Sequence, residues 1–465
     1  MEILVVAGEL APFVVDTAAG DSVASLTKTL RQAGHGVTAV VPHSVAFAEQ
    51  GLLVARRLTP LVLPDGTEVT VFESQLASGA RLYLFDDGAE HTSDVRRYGL
   101  VCRAAVALAR EQERMGNGFD VAHLHDWPAA LAAVELAHEP ELALATVLTI
   151  HDGARQGLVP TRELSEFGPP FDPDEWDYAS SDDTVSLLAA GVQYADAITT
   201  VSARYAEELR DEGQFGAVAA AIAACDKPVV GIENGIDYAL FNPATDPALP
   251  SHYSAEDVAN KGRCKTALVR QLELELELDR PLIGVRGELS AEAGFDLLLE
   301  ALPRLLKGNV TVVISGEAQG ALRDDLLALR RRYPDKLGQI EAPTEADLRR
   351  VVAAADLVIC PARHQACSSA PRIAQRYGAV PVARASGGTL DMVVDCDAAL
   401  ETGTGFLYTD ATASELLKAV QRGLSATVSP AWAALRRRVM RLDVGWDRPA
   451  RRYLQVYQEA VRSRS

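Results

Sequence analysis

The feature that most constrains the fold is an alternation of short apolar runs with segments of helical periodicity, repeated along almost the whole chain. The first run, MEILVVAGELAP, is nearly continuous in apolar residues, which is typical of a strand buried on both faces of a parallel sheet. The segment SVASLTKTLRQAGHG follows, with Val23, Leu26 and Leu30 at helical spacing and Gly34 as a stop signal. Such alternation predicts the α/β fold class, with parallel sheets covered by helices on both faces.

The predicted elements fall into two halves of the chain. In the first half, the pattern predicts strands at Ile3–Leu10, Val37–Pro42, Val121–His125, Thr146–His151, Ala197–Ser202 and Val229–Glu233, and helices at Arg103–Met115, Pro128–Leu136 and Thr184–Tyr194. In the second half, it predicts strands at Leu282–Arg286, Val310–Ser315, Gln339–Glu341, Leu357–Cys360 and Val380–Ala383, and helices at Phe295–Leu306, Ala321–Tyr333 and Glu345–Ala354. The strict alternation of QLELELELD, Gln271–Asp279, fits an edge strand, but we interpret it as a helix end followed by a linker.

The length of the chain predicts more than one domain, because 465 residues exceed what one ordinary core supports. We predict two doubly wound domains, residues 1–240 and 241–445, and a closing helix over 446–465. Their junction lies in NGIDYALFNPATDPALPSHYS, which is rich in proline and turn-forming residues. In such an architecture the default ligand site is a central cleft between the domains, outside the carboxyl ends of the strands.

Composition excludes several classes of protein. Hydrophobic residues at 48% and charged residues at 23% are typical of a soluble globular protein, and the net charge of −19 argues against a nucleic acid or an anionic membrane as partner. No two of the six cysteines have C-x-x-C spacing, which predicts reduced thiols, a cytoplasmic location and no metal site. The sequence offers no secretory leader and no run approaching about 18 apolar residues, so we expect no membrane span.

Several motifs, in order along the chain, resemble those of bacterial glycogen synthase and plant starch synthase. The matching stretches include EILVVAGELAPF, AHLHDWPAAL, VLTIHDGARQG, GIENGIDYALFNPATD, QRYGAVPVARASGGTLDMVVD and VGWDRPARRYLQVYQ. These relatives are family 5 retaining glycosyltransferases, which transfer glucose from ADP-glucose to an α-1,4-glucan. The resemblance implies two Rossmann-like domains that face a central cleft, the GT-B arrangement. It also implies that the closing helix over 446–465 crosses back to the first domain, and that there is no tightly bound cofactor.

The residues that the resemblance places near the transferred glucose are retained. His151 stands in TIHDG, and His125 and Asp126 stand in the H-D-W motif. The resemblance makes His151 and Asp126 candidate catalytic residues and His125 a substrate-binding residue, together with Asp21 and Asn234. A purely structural interpretation also stands, in which the histidines satisfy backbone groups at strand ends and the Asp and Asn side chains cap turns.

The residues that the resemblance places on the donor diphosphate are replaced. The family loop K-T-G-G-L-G-D reads VDTAAGD here, so the lysine is Val15 and the glycine pair is Thr17 and Ala18. The family motif R-L-x-x-Q-K-G reads ELSAEAG, so the arginine is Glu288 and the lysine is Ala293. Glycines at the first loop permit close approach of the backbone to phosphate, and side chains obstruct it.

Two further family positions are changed, and some compensating groups remain. The motif E-P-C-G-L-T-Q reads QACSSAP, which puts Gln365 at the position of the catalytic glutamate, and another family lysine is Ala189. A shifted anion site built from Arg363, Arg372 and the Gly387–Gly388 turn is an alternative to arginines that only face solvent.

We therefore expect a non-catalytic or regulatory homologue that binds an α-glucan or maltooligosaccharide, or a protein partner, and that binds nucleotide sugars weakly. Two alternatives remain open from the sequence. One is an active retaining glycosyltransferase with a different nucleotide-sugar donor or a rebuilt site. The other is an authentic glucan synthase whose catalytic residues stand at other positions. A hydrolase is disfavoured because no carboxylate pair of clear spacing stands out.

Overall fold

A computed structural model describes residues 1–15, 17–86, 88, 93–165, 170–171, 176, 180–181, 183–225, 227–363, 366 and 368–464. The chain divides into two compact units. Unit 1 comprises residues 1–235 together with the segment that begins at Trp446, and unit 2 comprises Ile236–Gly445. The carboxyl-terminal helix therefore packs with the first part of the chain.

The strands form two sets, one in each unit. Unit 1 contains β1 (Glu2–Val6), β2 (Gly36–Pro42), β3 (Ala55–Arg56), β4 (Leu61–Val62), β5 (Glu68–Gln75), β6 (Arg81–Asp86), β7 (Val121–His125), β8 (Ala145–Ile150), β9 (Leu158–Pro160), β10 (Ser180–Ser181), β11 (Thr184–Ser186), β12 (Ala197–Thr200) and β13 (Val229–Gly231). Unit 2 contains β14 (Leu282–Arg286), β15 (Thr311–Ser315), β16 (Leu337–Ile340), β17 (Leu357–Cys360), β18 (Val380–Arg384) and β19 (Phe406–Tyr408).

The helices divide between the units in the same way. Unit 1 contains α1 (Ala18–Gln32), α2 (Ala46–Glu49), α3 (Asp94–Arg114), α4 (Asp126–Ala137), α5 (Thr161–Ser165), α6 (Leu187–Tyr194), α7 (Ala203–Glu208) and α8 (Glu212–Ala224). Unit 2 contains α9 (Lys261–Gln271), α10 (Phe295–Leu305), α11 (Gly320–Arg332), α12 (Glu345–Ala354), α13 (Ala370–Arg376), α14 (Thr389–Met392), α15 (Ala413–Thr427) and α16 (Trp432–Met440), and α17 (Asp447–Arg464) returns to unit 1. Among the described helices, none is long and apolar enough to cross a membrane.

Each unit is built on a sheet whose central strands are parallel. Within the described residues, the main sheet of unit 1 has the order β13-β12-β8-β7-β1-β2-β6-β5-β3, with β4 also paired to β5, and the sheet of unit 2 has the order β16-β15-β14-β17-β18-β19. All pairs in unit 2 are parallel, whereas β3, β4 and β5 form an antiparallel extension of the unit 1 sheet. The central strands β1, β7 and β8 are buried along almost their whole length, as expected of a parallel sheet with both faces covered.

Each predicted strand overlaps an observed one, and three have identical bounds: Val121–His125, Leu282–Arg286 and Leu357–Cys360. The strand predicted at Ile3–Leu10 is too long, because β1 ends at Val6. The interpretation of Gln271–Asp279 is also confirmed, because α9 ends at Gln271 and residues 272–279, all described, contain no strand. The antiparallel β3–β6 region was not among the predicted elements.

The prediction of one helix over Thr184–Tyr194 is wrong at its amino-terminal end. Thr184–Ser186 forms β11, which pairs antiparallel with β9. The β-branched residues Thr184 and Val185 favour a strand, and the Ser186 side chain caps α6 by accepting a hydrogen bond from Ala189 N.

A buried chain of polar side chains ties α17 to the central strands of unit 1. The hydroxyl of Tyr457 lies 2.7 Å from Nδ1 of His123, and Nε2 of His123 lies 2.6 Å from the Thr149 hydroxyl. Thr149 in turn lies 2.6 Å from the hydroxyl of Thr199. All of these side chains are buried, so each hydrogen bond replaces contacts with water that the unfolded chain would make.

We predict that Tyr457→Phe destabilises the protein by about 1–3 kcal/mol, because it leaves His123 Nδ1 buried without its partner. Chemical denaturation followed by circular dichroism measures this loss. The matched control is Tyr333→Phe, since the described residues give the Tyr333 hydroxyl no hydrogen bond. Equal midpoints for the two variants would contradict a stabilising role for the chain of polar side chains.

Candidate functional site

Two histidines meet where neighbouring strands of unit 1 end. His125 is the last residue of β7, and His151 directly follows β8, which pairs in parallel with β7. Nδ1 of His125 lies 3.0 Å from Nε2 of His151, and the residues are only 3% and 5% exposed. The carboxyl ends of parallel strands share one edge of a sheet, which explains why residues distant in sequence come together.

Each of these imidazoles keeps one nitrogen without a hydrogen bond. His125 Nε2 and His151 Nδ1 are buried and have no partner among the described residues. In either tautomer the pair therefore leaves one N–H donor and one nitrogen lone pair unused. The interpretation that these histidines serve backbone groups at strand ends is wrong for the described residues, because the rings bond to each other.

Asp126 organises the backbone beside this pair. Its Oδ1 accepts hydrogen bonds from the backbone N–H groups of His151, at 2.7 Å, and Asp152, at 3.3 Å. Its own φ is +54°, a left-handed conformation that Asp tolerates better than most residues. Burial raises the pKa of Asp126 to about 8, although the two N–H groups oppose the shift. Burial therefore favours the protonated form of this carboxyl group, which can donate a hydrogen bond.

A cavity of about 280 Å³ opens at this edge of unit 1. The aromatic part of its wall is formed by Trp127 and Tyr98, whose ring centroids are 5.0 Å apart with planes at 88°. The complete lining is Ala7, Gly8, Glu9, Ala19, Val23, Asp94, Tyr98, His125, Asp126, Trp127, Pro128 and Arg155. An aromatic wall with a few polar groups is the usual composition of a pocket for a small molecule.

Several of these lining residues were not predicted as site residues from the sequence. Glu9, Asp94, Tyr98 and Arg155 were not identified from sequence, although Glu9 stands in the loop after β1, where ligands of parallel sheets bind. Asp94 and Tyr98 lie in the first turns of α3, and only the tertiary structure places them beside β7. Among the described residues, no group of three or more His, Cys, Asp or Glu could hold a metal ion.

The predicted positions around α1 lie in the same unit. Val15 is 50% exposed, Thr17 is the amino-terminal cap of α1, and Ala18 is exposed. Asp21 is an exposed residue in the first turn of the helix. Buried Asn234 donates from Nδ2 to the hydroxyl of Ser22, at 2.9 Å, and so joins the loop after β13 to α1.

Ala189 lies deeper than the sequence indicated. It is completely buried in α6, and its backbone N–H donates to the Ser186 hydroxyl at 3.2 Å. The altered family lysine is therefore represented here by a methyl group packed inside unit 1.

In unit 2, the arginine of the predicted anion site is already paired. Arg363 forms a two-pronged salt bridge with Asp296, at 2.6 and 2.7 Å, and also donates to the carbonyl oxygen of Ala291. The Arg363 guanidinium lowers the pKa of the Asp296 carboxyl. Gln365, the position of the family glutamate, lies outside the described residues.

The other altered positions of unit 2 lie near the start of α10 and around α13 and α14. Glu288 is exposed, and Ala293 donates its backbone N–H to the Ser290 hydroxyl at 3.1 Å. Arg372 is only 7% exposed within α13, so it does not simply face solvent. Gly387, with φ of +50°, and Gly388, the cap of the short helix α14, form the predicted turn.

Comparison with known families matches both parts of the chain. Residues 2–222 match the family described as starch synthase catalytic domain, and residues 272–434 match the family described as glycosyl transferases group 1. Glycogen synthase from Anaeromyxobacter dehalogenans is 35% identical over 475 residues, which cover 98% of this chain and 99% of that protein. Glycogen synthase 2 from Geobacter sulfurreducens is 31% identical, with complete coverage of both chains.

Solved structures agree with these matches. The catalytic domain of starch synthase IV from Arabidopsis thaliana, bound to ADP and acarbose, has a TM-score of 0.89 and 26% identity, and the match covers 99% of both chains. Sucrose-phosphate synthase from Thermosynechococcus elongatus has a TM-score of 0.65 at 16% identity, which supports the fold alone. The predicted α/β fold of the GT-B type, with Rossmann-like domains, is confirmed.

We predict that acidification between about pH 6.5 and pH 4 destabilises the protein partly through its buried histidines. Burial lowers the pKa of His123 to about 3 and of His151 to about 4, and the pKa of His125 also falls well below its usual range. An unfolded histidine takes up its proton near pH 6.5, so the unfolded state binds more protons in this window and is favoured as pH falls. The stability that these groups contribute is thus fully present only above pH 6.5.

The measurement is the free energy of unfolding against pH for the wild type and for His123→Gln. Removal of His123 should flatten the acid limb by up to about 1.4 kcal/mol per pH unit. His138→Gln removes an exposed histidine instead, and its curve should run parallel to that of the wild type. A His123→Gln curve that also runs parallel would show that His123 does not contribute to the acid sensitivity.

Proposed function

Since this chain belongs to the glycogen and starch synthase family, we propose that it binds a glucan or maltooligosaccharide but no longer transfers glucose from a nucleotide sugar. In this proposal, unit 1 supplies the saccharide site. The positions that bind the nucleotide-sugar donor elsewhere in the family carry side chains that no longer bind it. The protein then acts as a regulatory homologue, through the saccharide or through a protein partner. We place it in the cytoplasm, in keeping with the free thiols of its five described cysteines.

The observation that carries the proposal is the reversal of charge at the donor positions. Where the family motifs have Lys, Arg and Lys, this chain has Val15, Glu288 and Ala293, so three positive charges become one negative charge. Glu288 is exposed, and its carboxylate repels phosphate, whereas the guanidinium of the family motif at this position binds phosphate. Arg363 is a poor substitute because Asp296 already neutralises it.

The change of charge at these three positions is large enough to abolish useful binding of the nucleotide-sugar donor. Each unit charge at contact distance is worth about 1 kcal/mol in a water-like dielectric and several times more when partly buried. About 1.4 kcal/mol corresponds to a tenfold change in Kd, so a change of four charges weakens a micromolar donor roughly to the millimolar range or beyond.

The chemistry of transfer is altered independently of binding. Gln365 has the shape of the family glutamate but has no ionisable group. Positive charge develops on the sugar in the transition state. A carboxylate stabilises this charge, and a neutral amide does so much less. Binding and chemistry are therefore both impaired by the replacements.

The saccharide half of the proposal is supported by the cavity in unit 1. Trp127 and Tyr98 present apolar ring surface, and Asp126 and His125 present hydrogen-bonding groups at the same wall. Sugar hydroxyl groups both donate and accept hydrogen bonds, which suits a cavity lined by the polar side chains of Asp126 and His125. The solved starch synthase IV relative is bound to ADP and acarbose, and we propose that only the saccharide type of ligand is retained here.

A second candidate is an active retaining glycosyltransferase with another donor. It is favoured by Arg372, a cation buried in α13, and by Arg286 at the carboxyl end of β14. These arginines are the groups around which a rebuilt phosphate site would have to form.

We predict that calorimetric titration with maltoheptaose gives saturable binding, and that ADP-glucose and UDP-glucose bind at roughly millimolar Kd or more weakly. Trp127→Ala should weaken maltoheptaose binding by at least about tenfold, because it removes an aromatic wall of the cavity. Leu158→Ala, which changes an exposed apolar residue outside the cavity lining, is the matched control. Micromolar binding of either nucleotide sugar would overturn the proposal in favour of the active alternative.

Restoring the family residues should restore the lost functions in two steps. The five changes Val15→Lys, Thr17→Gly, Ala18→Gly, Glu288→Arg and Ala293→Lys should return ADP-glucose binding without transfer. Adding Gln365→Glu should then give measurable transfer of glucose to glycogen, because the carboxylate supports the transition state.

The five-change variant is the control for the six-change variant, since the two differ only at residue 365. Transfer is followed as incorporation of labelled glucose into glycogen, and binding is followed by calorimetry. Equal transfer rates for the two variants would contradict the role assigned to position 365.

A further inference from the structure

The amino-terminal end of α1 already carries an anion from the same chain. The backbone N–H of Thr17 donates to Oε2 of Glu9 at 2.9 Å, and the Thr17 hydroxyl donates to Oε1 of the same carboxylate. That hydroxyl also accepts a hydrogen bond from the N–H of Ala19, at 3.0 Å. The Glu9 carboxylate and the Thr17 hydroxyl therefore engage two of the backbone N–H groups at the helix start, the kind of donor that would otherwise attract an external anion.

The threonine makes this contact possible, because the family motif has glycine at the same position. Glycine offers a backbone N–H but no hydroxyl, so it cannot both cap the helix and bind Glu9 through its side chain. Thr17 does both, with its backbone extended at φ of −139°. The substitution is thus more than the loss of a flexible residue, since it adds a group that holds the carboxylate in place.

The surrounding packing fixes the carboxylate against the helix. A Cβ atom at Gly20 would lie 3.1 Å from Oε2 of Glu9, so the absence of a side chain there leaves room for the carboxylate. The segment Leu10–Val14, which follows Glu9, is closed by paired backbone hydrogen bonds between Leu10 and Val14. The Glu9 carboxylate is therefore positioned against the first turn of α1.

We propose that Glu9, held by Thr17, acts as a resident anion that excludes phosphate-bearing ligands from the cavity of unit 1 and restricts it to uncharged saccharides. Glu9 is itself part of the cavity lining, together with the Asp94 side chain, and Arg155 is the basic residue of that lining. A second anion at the start of α1 would lie close to the Glu9 carboxylate. The two negative charges would repel each other, and the second anion brings no cation that would offset this repulsion. The inference rests on the proposed function, because it names the charge class of the ligand at the same site.

Titration with inorganic pyrophosphate at low ionic strength tests the inference. The wild type should show no saturable binding at millimolar pyrophosphate, and Glu9→Gln should bind at least about tenfold more tightly, since it removes the charge but keeps the shape. Thr17→Gly should give a smaller gain, because it releases the carboxylate without removing it. Glu9→Asp keeps the charge and should continue to exclude pyrophosphate.

Two controls keep the result interpretable. Glu68→Gln changes the net charge of the protein by the same amount at an exposed position of β5, and it should bind pyrophosphate as weakly as the wild type. Thermal unfolding shows whether Glu9→Gln is folded, and Thr17→Gly carries the test if it is not. A folded Glu9→Gln variant with no gain in pyrophosphate affinity, or a wild type that binds pyrophosphate equally well, overturns the inference.

Titration with maltotriose separates this inference from the proposed function. A wild type that does not bind maltotriose contradicts saccharide binding but leaves the comparison of pyrophosphate affinities intact. A wild type that binds maltotriose, with a Glu9→Gln variant that gains nothing for pyrophosphate, contradicts only the role of Glu9.

Discussion

The parallel pairing of β7 with β8 is the constraint on which the candidate site depends. It brings His125 and His151 to the same sheet edge, where their imidazoles lie 3.0 Å apart. Asp126 then fixes the turn after β8 by accepting backbone hydrogen bonds from His151 and Asp152. Burial lowers the pKa of both imidazoles and raises the pKa of the Asp126 carboxyl, so these three groups favour their uncharged, hydrogen-bonding forms. The acidic and basic side chains of Glu9, Asp94 and Arg155 stand in the same cavity lining.

Electrostatics links the family residues that are retained in this chain with those that are replaced. In the proposed function, the aromatic rings and hydrogen-bonding groups of unit 1 suit an uncharged saccharide. The proposal also holds that Val15, Glu288 and Ala293 lack the positive charges that would bind a diphosphate. In unit 2, Asp296 engages Arg363, which leaves that guanidinium less able to compensate. The proposed loss of donor binding and the proposed retention of saccharide binding thus follow from one redistribution of charge.

The parallel core was predicted well from the sequence, because short apolar runs such as Leu357–Cys360 are typical of strands buried on both faces of a sheet. The sequence placed His125, Asp126 and His151 at strand ends, so their meeting followed from sheet topology. It could not place Tyr98 or Asp94, which approach the site only through the packing of α3, nor the contact of Glu9 with Thr17, which depends on the exact path of a loop. The first three residues of the helix predicted at Thr184–Tyr194 were wrong because pairing with β9 overrides helical spacing there.

The most direct test of the central claim is a transfer assay on the purified wild-type protein. Labelled ADP-glucose and UDP-glucose are each supplied with glycogen, and incorporation of label into the polymer is compared with that of heat-denatured protein. The account predicts incorporation no greater than that of the denatured control for both donors. Sustained incorporation from either donor, abolished by a change at Asp126 or His151, would contradict it.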